Sequence, residues 1–558
     1  MCCNGGDARP HESAGTDGSR TGEVVNRLGR LALLGGNEVS VDAVASGPSA
    51  VAVAQVHRLF SDGWLRQQLD GHDTRLLSLR VVDDDDKERG WTAASRFKAH
   101  VYDYTHNRTL TVCGQLDRPD RASVSETATQ PLPTREEFES AVEILANTSE
   151  LGAALRRGEL LAYRPMPPLV DVEAPDGRIE RTLAVGLVAA SGENKRHQLV
   201  AVNMARREVL HEFTGRARDS HDECGPPPFS GCASTGNSGR VAVTITQSGT
   251  TLWQFDAIRP AASSGTNGSG LELRGVRYRG KQLLYRAHLP ILNIEYFSDG
   301  VEVGCGPTYR DWQNEETCFE ANGTDVIPGY RLCNAPARTI IESNSDVGNF
   351  RGVAIYVQGQ EVVLVSEMAA GWYRYVSAWR FHTDGTLRPR FGFAAANNSC
   401  TCRDHHHHAY WRLDFDIRHA ADNIIEEYNN PPLVGASNWH TKRYEIRRPR
   451  DSARDRHWRV RNRATGDGYS LVPGAQDGNQ DAYGAGDFWA LRYRGSAEHD
   501  DGQGFTTNPA LSRARIDSFV NGEVIEGEDV VVWYAGHFRH TPGHSGHYIG
   551  PDLRPSSW

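Results

Sequence analysis

At 558 residues the chain exceeds what one hydrophobic core fills, and about three to five domains are expected, fewer if one is a large β unit. A formal net charge of −10 speaks against nucleic acid as a partner, because a phosphate-binding surface needs clustered Lys and Arg; the run Arg447-Arg448-Pro449-Arg450 lies among acids and reads as solvated surface. No run of about 18 apolar residues occurs, which excludes a membrane-spanning helix.

In chain order, residues 1–45 are polar and Gly-rich at the start, lack the apolar core of a signal peptide, and read as a disordered tail. That favours the cytoplasm. Ten cysteines and the sequons at Asn107, Asn147, Asn267 and Asn322 point toward secretion, and the missing signal is given the greater weight. Residues 46–125 form a first small αβ domain. Apolar spacing over 50–69 predicts a helix, and 74–82, 96–105 and 108–117 alternate as strands. Residues 126–220 repeat that order, with Thr134 ahead of Glu136 and Glu137 as the start of a helix and strands near 160–172, 181–190 and 197–213. From 235 to 558 short strands alternate with Gly, Asn and Asp turns, which predicts a large antiparallel β-sandwich. Stretches 215–240 and 261–270 are loops. The fold class expected is α+β, mostly β: two small αβ domains followed by the sandwich.

The most unusual local feature runs from Cys400 to Asp416 and contains His405-His406-His407-His408. On an extended strand, residues two apart face the same way, so His405 and His407, or in the other register His406 and His408, present two imidazoles to one ion. Imidazoles suit zinc, copper, iron or nickel, so this spacing alone does not choose the metal.

Several segments together resemble the copper amine oxidase family: Leu271–Pro290, the strand pair Glu361–Thr386, His405–Asp416 and Glu528–His540, with the two αβ units before them. The resemblance spans about residues 46–555. It implies copper held by His405, His407 and His540, since that register keeps the family's spacing to Arg412, Leu413 and Asp414. It implies Tyr373 as the tyrosine converted to topaquinone and Tyr296 as the tyrosine that hydrogen-bonds the quinone. It implies a Cys305–Cys333 disulfide, and a secondary site, often holding calcium, at Asp414, Asp416 and Asp529. A two-fold homodimer, a small-molecule substrate of the primary-amine type and dioxygen as oxidant follow from the same resemblance.

Three departures bear on activity. The cofactor motif reads Ala369-Ala370-Gly371-Trp372-Tyr373-Arg374, replacing the family's Thr, Asn and acid. Eight residues separate Tyr296 from Cys305, so the segment carrying the family's catalytic aspartate reads as deleted, with Asp299 the nearest acid. The stretch from Tyr373 to His405 is shorter than in typical members. The expected function is amine oxidation: amine, dioxygen and water to aldehyde, ammonia and hydrogen peroxide. Its alternatives are a copper enzyme of the same fold without topaquinone, with Arg374 favouring an anionic substrate, and a non-catalytic copper-binding dimer.

Overall fold

The computed structural model describes residues 26–32, 38–45, 50–82, 87, 96–127, 130–148, 150–166, 168–191, 196–213, 218–219, 224–227, 231–232, 239–265, 267–296, 308–481, 486–495, 518–541 and 546–558. The fold is mostly β, with large antiparallel sheets. Two small units come first. In one, the helix Ala50–Ser61 accompanies a four-stranded sheet. In the other, the helix Arg135–Thr148 packs on strands Thr182–Ala189 and Arg196–Asn203 through Ala141, Ile144 and Leu145. The hydroxyl of Thr134 accepts from the Glu137 amide at 3.1 Å, satisfying one of the free donors that open this helix.

The strands that carry the site lie in two stacked sheets: β1 (Lys281–Tyr296), β2 (Thr308–Arg310), β3 (Glu361–Ala370), β4 (Tyr373–His382), β5 (Leu387–Ala395), β6 (His405–Phe415) and β7 (Val530–His540). Among the described residues one sheet has eleven strands, with β1, β6 and β7 side by side and β2 off the edge of β1. The other has twelve, with β3, β4 and β5 adjacent. Leu284, Leu292 and Ile294 of the first sheet and Leu364, Tyr373, Tyr375 and Phe393 of the second belong to one buried core. β6 is buried on both faces: ten of its eleven residues are buried, the polar Arg412 and Asp414 among them.

Two expectations need correction. Part of the tail, 26–32 and 38–45, is strand, and 38–45 pairs with Arg240–Gln247 along the edge of the eleven-stranded sheet. Val41 is fully buried there; its alternation with Val39 and Ala43 is a strand signal hidden beside a Gly-rich start. Cys333 is a free buried thiol, so the Cys305–Cys333 bridge is not made; Cys305 lies outside the described residues. Instead Cys224 bonds Cys402 and Cys232 bonds Cys318, tying the 215–240 loop to the sandwich, and Cys400 is disulfide-bonded as well.

Candidate metal and tyrosine site

Antiparallel register builds the site. Tyr296, His405 and His540 stand opposite one another across β1, β6 and β7, and His407 lies two residues further along β6. The two-residue period sends His405 and His407 toward the facing sheet. Their ring centroids lie 4.8 Å apart, and His540 is 4.7 Å from His405. From the other sheet Phe393 packs 3.8 Å from the His407 ring and 5.1 Å from that of His540. Two strands thus bring the three predicted ligands into one buried cluster, and a third brings Tyr296 beside them.

The donor chemistry fits a metal. His405 Nδ1 donates to the Arg403 carbonyl at 2.6 Å, which leaves the lone pair on Nε2. That Nε2 and both ring nitrogens of His407 are buried with no hydrogen-bond partner. Each such orphaned polar group costs about 1–3 kcal/mol, and an ion satisfies several at once. Burial holds both imidazoles well below the usual histidine range, with the neighbouring His540 and His405 rings adding to the shift. The neutral form they favour is the ligand form.

Tyr373 opens β4 beside these histidines. Ala370 pairs with Tyr373 across a two-residue hairpin, and Gly371 takes a φ of +57° there, a left-handed conformation that glycine adopts freely. A Cβ on Gly371 would lie 2.7 Å from the Met166 sulfur. Tyr373 is fully buried, with its ring 5.1 Å from His407 and 5.5 Å from His405. Its hydroxyl hydrogen-bonds the Tyr296 hydroxyl, which also accepts from Trp372 Nε1 at 3.3 Å. The bulky Trp372 therefore lies against the phenol pair. Tyr163 from the second small unit packs on Trp372, with ring centroids 6.2 Å apart.

Arg374 does not face the pocket. As the next residue on a strand it points to the other side of the sheet, where it donates to both oxygens of Asp346 at 2.6 and 2.8 Å. Asp299 lies outside the described residues. A different acid occupies the site: after Tyr296 the chain returns as β2, antiparallel to β1, and the Asp311 amide donates to the Leu292 carbonyl at 2.8 Å. Asp311 is buried and accepts a hydrogen bond from the Tyr375 hydroxyl, two residues along β4 from Tyr373. Burial pushes its carboxyl up to about 8, against the pull of the Tyr375 hydroxyl, the Trp312 amide and Arg164. A carboxyl so displaced, next to reactive-looking aromatics, is poised to take or give a proton near neutral pH.

Asp414, Asp416 and Asp529 also meet, but around a cation the chain supplies. Lys87 Nζ, from the first small unit, lies 2.6, 2.9 and 2.7 Å from their oxygens and 3.9 Å from the centre of the Tyr493 ring. One ammonium cannot neutralise three carboxylates. Burial, with Asp414 close by, accordingly holds Asp416 and Asp529 up at about 7 despite Lys87. A calcium ion would have to displace the ammonium, so these residues as they stand do not fit it.

Among solved structures, the chain is similar to a copper-containing benzylamine oxidase from Hansenula polymorpha, with a TM-score of 0.60 at 11% identity over 92% of this chain and 97% of that one. The likeness is one of fold. It extends to the Pichia pastoris lysyl oxidase, with a TM-score of 0.56 at 11% identity over 91% and 89% of the two chains. An Aspergillus nidulans amine oxidase gives a TM-score of 0.55 at 14% identity over 90% and 87%. No family model and no curated protein sequence matches the chain. No helix among the described residues is long and apolar enough to cross a membrane.

Proposed function

We propose that this chain is a copper-dependent oxidoreductase that converts a primary amine, dioxygen and water to an aldehyde, ammonia and hydrogen peroxide. The observation that carries the reading is the placement of a fully buried, hydrogen-bonded Tyr373 against two histidines whose inward nitrogens have no hydrogen-bond partner. His405, His407 and His540 would hold copper, and Tyr373 is the residue on which a quinone would be built. The bound metal and quinone supply the electron-accepting chemistry.

The chain's own residues do the rest. Tyr296, fixed by Trp372, holds the oxygen of Tyr373 in one direction. Asp311 is the base: with its carboxyl near 8 it accepts a proton from the carbon next to the substrate nitrogen, and Tyr375 orients it. Tyr163 packs on Trp372, and Met166 packs against Gly371, so the turn that leads into Tyr373 is covered. The reading that Arg374 selects an anionic substrate loses its motive, because Arg374 is committed to Asp346. In this account Lys87 serves the carboxylate triad in place of calcium, and a two-fold dimer is carried with the fold likeness.

Hydrogen peroxide release from primary amines is the test. The reading expects turnover that requires copper and vanishes in Tyr373→Phe. Copper-loaded, folded protein that is inert toward aliphatic and aromatic primary amines alike would overturn it.

A further inference from the structure

The other two histidines of the run face away from the tyrosine pocket and meet a different set of donors. The register places Glu295 of β1 opposite His406 of β6, so the two share a face. His408 follows two residues on, and Asp481 reaches the same place from the loop before the strand Phe488–Arg492. One donor atom from each of Glu295, His406, His408 and Asp481 lies within 4.8 Å of the others. His406 Nδ1 is 2.7 Å from Asp481 Oδ2; His408 Nε2 is 3.7 Å from that oxygen and 4.0 Å from Glu295 Oε2.

His408 Nε2 lies on the side of the two carboxylates. Its Nδ1 is 2.8 Å from His537 Nδ1, so the buried ring is held in one orientation from behind. Two imidazoles and two carboxylates whose donor atoms converge this closely make a mixed nitrogen and oxygen donor set of the kind that holds a transition metal.

We propose that Glu295, His406, His408 and Asp481 form a second site for a divalent first-row metal of the zinc class, back to back with the His405–His407 face of the same strand. Two imidazoles and two carboxylates suit zinc, manganese or iron(II) better than calcium, which takes only oxygen. His408 is fully buried, while the side chains of Glu295 and Asp481 are 29% and 28% exposed, so an ion enters from solvent and is anchored at the bottom. The site shares no ligand with the proposed copper centre, although both use alternate residues of one strand.

Zinc uptake by the full-length, chelator-stripped chain tests this. A His405→Ala/His407→Ala variant is expected to retain one equivalent of zinc by elemental analysis, and adding Glu295→Gln and Asp481→Asn is expected to abolish it with the circular dichroism spectrum unchanged. In parallel, the otherwise unaltered chain, first given a single equivalent of copper, is expected to take up one further equivalent of zinc that Glu295→Gln/Asp481→Asn removes. That arm does not depend on how the histidine variants fold. Zinc uptake that survives Glu295→Gln/Asp481→Asn, or protein given a single equivalent of copper that takes no zinc, would overturn the site. Failure of copper itself to bind, with zinc still held and still lost on Glu295→Gln/Asp481→Asn, would count against the copper reading alone.

Discussion

The two ends of β6 treat cations in opposite ways. At the start of the strand, His405 and His407 are driven neutral by burial and keep inward nitrogens without partners. Near its end, Asp414 and Asp416 are buried too, yet Lys87 already sits among them and Asp529. A buried donor set left incomplete by the chain is a place for an external ion, whereas a set completed by a lysine is a structural joint. Here that joint ties the first small unit to the sandwich.

Breaking the first region should give the largest effect. His405→Ala or His407→Ala is expected to reduce tightly bound copper at that site from one equivalent to none, read by elemental analysis of dialysed protein. Asp311→Asn comes next. Removing a general base costs about 10²–10⁴-fold in turnover, so peroxide release should fall that far while copper content holds. In the unsubstituted chain the rate should rise with pH through about 8 as Asp311 ionises.

The second region is broken by Lys87→Met. Taking one partner from a buried ion cluster costs about 3–5 kcal/mol, so the denaturant midpoint should drop. Calcium should then restore part of it by binding the vacated carboxylates, while leaving the unsubstituted chain unmoved. A calcium-stabilised unsubstituted chain would erase the contrast between the two ends.

A further effect concerns pH. Burial raises Asp311 from 3.8 to about 8, so between about pH 4 and 8 the folded chain keeps a proton that the unfolded chain has released. Stability must therefore fall as pH rises through that window. Asp311→Asn should flatten the fall in a comparison of urea midpoints across that range. Glu367, also held at about 8 by burial, leaves a remaining slope of the same sign.

Much of this was legible in the sequence because strands have a short period. The alternation that pairs His405 with His407 needs only neighbouring residues, and the sandwich announced itself through turn residues at short intervals. The same alternation turns Arg374 away from Tyr373 and toward Asp346. Asp311 was missed because distance along the chain stood in for distance in space: β2 folds back on β1 and returns an acid that lies fifteen residues beyond Tyr296. Lys87 lies 327 residues from Asp414, and nothing local marks it. The disulfides between Cys224 and Cys402 and between Cys232 and Cys318 join positions far apart in the chain, and no local spacing marks their pairing.

The central claim is that Tyr373 is a cofactor precursor beside copper. Peptide mass analysis of Tyr373 after copper loading in air tests it most directly. The account predicts two added ring oxygens at Tyr373, absent without copper and absent in His405→Ala. An unmodified Tyr373 in fully copper-loaded protein would contradict it.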